Sequence, residues 1–382
     1  MKTAKHLYEK IIDDENIGLA IVAASKHKKH RKDVQKAIWM DEKGNFHAYD
    51  EYVKHIKYVI EHYEPKPGRR KIINDGFRQK KRIILVPTYE NCCVHHAIFQ
   101  ILAPADDMVR KKGYQRVVNR GQYIYSCASI PERGTHYGKR TVEKWMQTDF
   151  KNTKYCLKFD IKKFFPSIPL DKLKAKLRND IKDERALALL FKIIDIQKVG
   201  LPIGYYSSQW LANYYLRDMD NAIIAAMGKR PCRYMRYMDD ENIFASSKRF
   251  LRKVQAIVEK QLEKDGLTLK GNYQIFDTWS RTVDFMGFQF FHNRTTIRRS
   301  VYYRASRKAK KLWKKDKITS HDASSMLSYL AYFKHTDTRK AYEEHIKPFI
   351  PQARLLKKKA RRTNDQLFKN IKHIDRRISA DI

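Results

Sequence analysis

Two short runs, Arg233 to Met238 and Asn242 to Ala245, flank three acidic residues, the pattern of a β-hairpin with carboxylates at its tip. Within that tip, Tyr237-Met238-Asp239-Asp240, the adjacent carboxylates repel each other unless cations neutralise them, and a metal site resolves the conflict. Magnesium takes oxygen ligands from one or two carboxylates, and paired ions about 3.5–4 Å apart can clamp an in-line phosphoryl displacement. Such a site needs another carboxylate. Asp160 ends the strand-like run Tyr155-Cys156-Leu157-Lys158-Phe159-Asp160 and supplies it if this strand and the hairpin are sheet neighbours.

The chain around this motif is long and basic. Its 382 residues hold 80 Lys and Arg against 42 Asp and Glu, a formal net charge of +38. With 42% hydrophobic and 12% aromatic residues, the charge sits on a folded body rather than a disordered tail. Nucleic acid is the leading partner and an anionic membrane surface the weaker one. Five cysteines without a C-x-x-C pair exclude zinc ribbons and secreted disulfide frameworks, and a reducing cytoplasm fits them best. The apolar stretch Ile17 to Ala24 follows three acidic residues and does not read as a signal peptide; no run of eighteen apolar residues suggests a membrane span.

No period of 20 to 50 residues repeats. Residues 1–64 read as a helical basic extension that ends at the turn-rich Pro65, Pro67 and Gly68. Residues 65–154 read as mixed α/β, with a strand over Arg82 to Pro87 and a helix near His95 to Leu102. In 155–292 helical spacing runs from Tyr206 to Met227, and an amphipathic helix from Lys248 to Asp265 stops at Gly266. Strand-like Leu267 to Leu269 and Thr282 to Phe291 follow, and 293–382 read as a separate helical lobe, dense in Lys and Arg between Arg294 and Lys317.

Tyr-Met-Asp-Asp, preceded at a distance by Phe159-Asp160-Ile161-Lys162-Lys163-Phe164-Phe165-Pro166-Ser167-Ile168, resembles the palm of a reverse transcriptase. The resemblance runs in order over roughly residues 70 to 335. It implies an α+β right-hand polymerase with fingers (65–154), a palm with an antiparallel sheet (155–292, interleaved with fingers elements) and a helical basic thumb (293–382). It also implies two Mg²⁺ ions at Asp160, Ile161, Asp239 and Asp240, with Asp160 and Asp239 as the principal catalytic ligands and Asp240 in support.

For the incoming dNTP the resemblance points to Lys81 and Arg82, to Ile161, to Phe165 as the aromatic that blocks a ribose 2′-OH, and to Ile203, Gly204 and Gln209. Ser126 to His136 is similar to a template-contacting fingers segment, Thr282 to Phe288 to a primer grip, and Ser328 to His335 to the start of a bacterial thumb. Tyr302, Tyr303 and Trp313 lie among the thumb cations, suited to gripping a duplex. Where many relatives place a lysine that protonates pyrophosphate, this chain offers Tyr273 or, in another register, Lys270, and the donor stays unassigned.

One departure is informative. Most of the family reads Gln-Gly-x-x-x-Ser-Pro before the catalytic hairpin, whereas this chain reads Ile203-Gly204-Tyr205-Tyr206-Ser207-Ser208-Gln209. That form resembles the reverse transcriptases of diversity-generating retroelements, whose cDNA is altered at template adenines. Ile203 offers shape and apolar contact where glutamine can hydrogen-bond, so discrimination should fall. The expected partners are a template RNA, its RNA/DNA duplex, dNTPs and a small basic helical accessory protein, with no membrane. The alternatives are an antiviral-defence or retron-type reverse transcriptase and, from another class, a non-catalytic RNA-binding protein. No appended nuclease is expected after the primer-grip match.

Overall fold

The computed structural model describes residues 6–75, 80–104, 125–130 and 133–350. Two compact units share the chain, one built from residues 1–145 and 149–281, the other from 146–148 and the residues after Arg281. In the first unit, the helix Asp14–Ala24 starts at Asp13, whose side chain accepts from the Asn16 amide. Ile17, Ala20, Ile21 and Ala24 bury one stripe of it in the same core as Val94, Ala97, Ile98 and Ile101 of the helix Tyr89–Leu102. Between them Asn16 Nδ2 donates to the Ala97 carbonyl at 3.0 Å and Gln100 Nε2 donates to Asn16 Oδ1 at 2.8 Å. The N-terminal residues are therefore part of the core. They also contain a short hairpin, β1 (Ile38–Met40) and β2 (Phe46–Ala48), that a helical reading omits. Three-residue strands give too little alternation to register in a sequence window.

Strands β3 (Arg69–Asp75) and β4 (Lys80–Val86) form the next antiparallel hairpin. The main sheet follows, with order β6-β7-β5-β8 and antiparallel pairing throughout: β5 is Tyr155–Asp160, β6 Arg233–Tyr237, β7 Asp240–Ala245 and β8 Gln274–Asp277. The helix Lys248–Lys264 buries Leu251, Val254, Val258 and Leu262, an i, i+3/i+4 stripe. It ends as the glycine requires: Gly266 sits at φ +74, its N–H donates to the Glu263 carbonyl, and Leu267 N–H donates to the Leu262 carbonyl. The helical stretch read from Tyr206 to Met227 is two helices, Tyr206–Tyr215 and Arg217–Met227, broken at Leu216. Asp180 receives both sides of the break, from the Tyr214 hydroxyl at 2.7 Å and from the Arg217 guanidinium.

Beneath the β6–β7 hairpin lies a buried polar network. Arg236, wholly buried, donates to Asp220 from Nε and Nη2, each at 2.8 Å, and from Nη2 to the Asn213 carbonyl at 3.2 Å. Ser126 Oγ donates to Asn213 Oδ1, and the main chain of residues 125–127 pairs with Arg236 from the other side: Arg236 N–H donates to Tyr125 O and Cys127 N–H to Arg236 O. Tyr234 Oη lies 2.7 Å from both Asp220 Oδ1 and Glu241 Oε2, and burial pushes the Glu241 carboxyl far above its usual range. A protonated Glu241 leaves one anion, Asp220, facing one cation, Arg236. The hairpin base is thus charge-balanced in a buried interior.

In the second unit, β9 (Val283–Phe285), β10 (Phe288–Phe290) and β11 (Thr295–Ile297) form an antiparallel sheet. The β9–β10 turn places Met286 at φ +53 and Gly287 at φ +89, and a Cβ on Gly287 would lie 2.9 Å from the Tyr332 ring. β11 lies in a stretch read as the start of a helical lobe; the helices begin at Arg299. The helices Arg299–Trp313 and Ser320–Lys334 share a second core with Ile346 and Ile350. A capping box of Thr319 and Asp322 opens the later helix, and Lys308 and Lys315 hold Asp322 at 2.7 and 2.8 Å. The basic run Lys357 to Arg362, Pro131 and Glu132 lie outside the described residues.

Arg236→Leu strands Asp220 as an unpaired buried charge, and we expect it to cost about 3–5 kcal/mol in urea unfolding. Arg236→Leu with Asp220→Leu removes both charges and should recover most of that loss; equal losses in the two proteins would contradict the charge-balance account.

Candidate active site

The register of the main sheet builds the site. β5 and β7 pair so that Asp160 lies opposite Asp240, and β6 and β7 pair Tyr237 with Asp240, leaving a two-residue loop of Met238 and Asp239. Met238 takes φ +57, the left-handed region that β-carbons disfavour, and such strain gathers where a side chain must be aimed. Residues 79 and 80 positions apart in the chain thereby share one corner of the sheet. The sequence expected this neighbourhood for Asp160, Asp239 and Asp240, and the structure brings all three together.

Their electrostatics are those of crowded anions. Burial and then the Asp160 charge push the Asp239 carboxyl up to about 6, with Asp240 adding to the shift. Two lysines take up the other carboxylates: Lys270 Nζ lies 2.8 Å from Asp160 Oδ2, and Lys158 Nζ lies 3.0 Å from Asp240 Oδ1. Sequence reasoning missed Lys158, although its position two residues before Asp160 on an antiparallel strand is a usable signal. Between the two proton-donor positions considered, Lys270 reaches the carboxylates, and its N–H also donates to the Asp160 carbonyl. Tyr273 is 40% exposed, just before β8.

The donor set tests whether divalent ions fit. Three carboxylates share this corner, one of them with its pKa pushed up to about 6, and hard oxygens of this kind suit Mg²⁺ or Mn²⁺. Among the described residues no three His, Cys, Asp or Glu side chains stand ready around one point, and Lys270 and Lys158 pair with Asp160 and Asp240. Asp160, Asp239 and Asp240 fit the ions in charge and chemistry. The Ile161 side chain is buried, so any part for that residue in metal or nucleotide binding falls to its main chain.

The candidate nucleotide residues fall around a second junction. Leu85 N–H of β4 donates to the Ile203 carbonyl at 2.8 Å. Gly204 sits at φ +110, where an added Cβ would lie 2.3 Å from the Leu85 carbonyl oxygen, so only glycine lets β4 approach. Leu201 N–H donates to the Phe165 carbonyl, and an added Cβ on Gly200 would lie 2.4 Å from the Pro166 carbonyl oxygen. Phe165 and Ile203 are thereby tied to one stretch of chain, beside the strand that carries Lys81 and Arg82, both exposed. Gln209 is exposed and accepts from Ser129 Oγ at 2.9 Å. In the second unit, Thr282 to Phe288 folds as the β9–β10 turn, and Ser328 to His335 falls at the end of the helix Ser320–Lys334.

Residues 109–290, which span both Asp160 and the hairpin, match the family described as reverse transcriptase (RNA-dependent DNA polymerase). These residues belong to the reverse transcriptase family. The α+β polymerase fold implied by the sequence is the one present. A retron Ec73 reverse transcriptase of Escherichia coli is 27% identical over 50% of this chain and 65% of its own length. An uncharacterised 91 kDa protein in the cob intron of Schizosaccharomyces pombe is 29% identical over 46% of this chain and 20% of its own. The chain thus spans less than two-thirds of either relative. Among solved structures, apo telomerase from Candida tropicalis aligns over 85% of this chain and 69% of its own, at 13% identity and a TM-score of 0.46. Enzymes of the reverse transcriptase family use divalent metal ions, in keeping with the donor set described above.

The raised Asp239 group gives a pH-dependent prediction. Its folded form favours the proton, so it costs no stability below about pH 4, where the unfolded carboxyl is also protonated, and its full penalty applies above about pH 6. Without divalent metal, Asp239→Asn should therefore raise the thermal midpoint above pH 6, by about 2–4 °C for each 1 kcal/mol relieved, and leave it unchanged near pH 4. A lower midpoint at pH 7 would contradict the crowding.

Proposed function

We propose that this chain is an RNA-directed DNA polymerase that makes error-prone cDNA, altered at template adenines, in a diversity-generating retroelement. The observation that carries the polymerase reading is the register that sets Asp160 opposite Asp240 with Asp239 at the hairpin tip, in a segment that matches the reverse transcriptase family. Asp160 and Asp239 would hold two Mg²⁺ ions, with Asp240 and the Ile161 main chain in support. When bound, such ions activate the primer 3′-OH and offset the charge that develops on the triphosphate.

The remaining roles fall to the protein. Lys81 and Arg82, exposed on β4, supply fixed positive charge to the triphosphate. Phe165 closes the space that a ribose 2′-OH would need and so selects dNTPs. Gly204 lets backbone approach the nascent base pair, and Gln209, held by Ser129, borders the same stretch. Ile203 contributes hydrocarbon there instead of a hydrogen bond, which supports low fidelity. The fingers, palm and thumb correspond in this reading to 65–154, 155–292 and 293–382, after an N-terminal segment of 1–64. A template RNA, its RNA/DNA duplex and a small basic helical accessory protein are the partners it calls for. The similarity to a retron reverse transcriptase favours a second reading, a retron-type or defence enzyme with the same core and a different product.

The test is to copy a heteropolymeric RNA from a DNA primer with Mg²⁺ and four dNTPs, and to sequence the cDNA. We expect substitutions concentrated opposite adenines, a bias reduced severalfold by Ile203→Gln, and no cDNA from Asp239→Asn although it still binds RNA. Uniformly low errors, with and without an accessory protein, would favour the retron-type reading. Unchanged synthesis by Asp239→Asn would remove the polymerase reading itself.

A further inference from the structure

The carboxylates occupy one end of the main sheet. At the opposite end Ala245, Tyr155 and Asp277 lie side by side across β7, β5 and β8, five residues and about 17 Å of strand from Asp160. Four stretches of chain leave the sheet there: 149–154 before β5, 229–232 before β6, 246–253 after β7 and 278–281 after β8. They hold nine Lys and Arg against a single carboxylate, Asp149, which is already paired with Arg233 at 2.8 Å.

These stretches make one surface. Thr278 N–H donates to the Lys154 carbonyl, the Lys248 ammonium lies 5.2 Å from the Tyr155 ring centre, and the Arg230 guanidinium lies 5.1 Å from that of Phe250. Between the 229–232 and 246–253 stretches opens a cleft of about 580 Å³ lined by Arg230, Arg249 and Lys253, and none of these three pairs with a carboxylate among the described residues. Beside Tyr155 the surface carries a pair of exposed rings. Trp279 is 62% and Phe150 48% exposed, with ring centres 5.7 Å apart.

Large exposed aromatics beside uncompensated cations suit one kind of ligand. Bases stack on aromatic faces whatever their identity, and the phosphates that link them need positive charge. An acidic protein would satisfy the cations but make no use of the exposed ring faces. We propose that this end of the sheet is a second nucleic-acid site, which grips single-stranded RNA outside the segment being copied. The proposal rests on reading the template as RNA; it assigns the Arg230–Arg249–Lys253 cleft to phosphates and Trp279 with Phe150 to bases.

The test uses the full chain with two probes, an unstructured single-stranded RNA and a short RNA template annealed to a DNA primer. Charge reversal of the cleft (Arg230→Glu, Arg249→Glu, Lys253→Glu) should weaken single-stranded RNA binding at least about tenfold and lower its salt slope by about 2, the share of three phosphate contacts. Trp279→Ala should weaken the same binding and Trp279→Phe should retain it, whereas extension of the short primer stays within about twofold of the unaltered chain. Unchanged RNA affinity in the reversal and Trp279→Ala proteins would overturn the proposal. So would a parallel loss of extension, or a polyglutamate probe that binds the cleft as tightly as RNA while Trp279→Ala has no effect. A chain that extends no primer, yet binds RNA through these residues, would refute the polymerase reading and support this one.

Discussion

The pairing of β5 with β7 is the constraint on which the site depends. Because the side-chain period of a strand is two, a one-residue slip would turn Asp160 to the other face and bring the buried Leu157 and Phe159 onto the face that Asp160 now occupies. The buried residues of β5 and the buried run Glu241 to Ala245 of β7 therefore fix where the carboxylates stand. Arg236 and Asp220 hold the base of the hairpin from below, and residues 125–127 close its outer side. The geometry of the acidic corner is thus a product of the core beneath it.

The charge distribution has two scales. Over the chain, an excess of 38 positive charges suits a polyanion, and it acts at long range and weakens with salt. At the corner, three carboxylates accumulate within that positive field, and two lysines and a raised carboxyl pKa relieve the local repulsion. An acidic cluster kept in this way within a basic protein is suited to attract small cations rather than to repel the nucleic acid. The β4 strand and the Ile203–Gly204 stretch, tied by one hydrogen bond and a glycine contact, supply the cationic and apolar neighbours on the same unit.

Much of this was legible in the sequence because it rests on local pattern. The strand ending at Asp160, the hairpin around Asp239 and Asp240, and the helix stopped by Gly266 each announce themselves through alternation, helical spacing or a terminal glycine. What was not legible depends on tertiary contact. Nothing local shows that Asp13 to Ala24 packs on the helix Tyr89–Leu102, that a helix breaks at Leu216 so that Tyr214 and Arg217 both reach Asp180, or that Lys158 meets Asp240. The Arg236 network was equally hidden, since its members are scattered from Ser126 to Glu241 and read singly as ordinary polar residues. β1, β2 and β11, at three residues each, are too short for their pattern to outweigh helical neighbours.

The central claim is that one sheet register assembles a divalent-metal site from Asp160 and the distant hairpin tip. Titration of Mn²⁺ followed by electron paramagnetic resonance tests it most directly, on the unaltered chain and on Asp160→Asn and Asp239→Asn proteins whose folding is checked by circular dichroism. The account predicts saturable binding near neutral pH that weakens as pH falls through about 6 and is lost in each single variant. Saturable binding of unchanged affinity in either variant would contradict it.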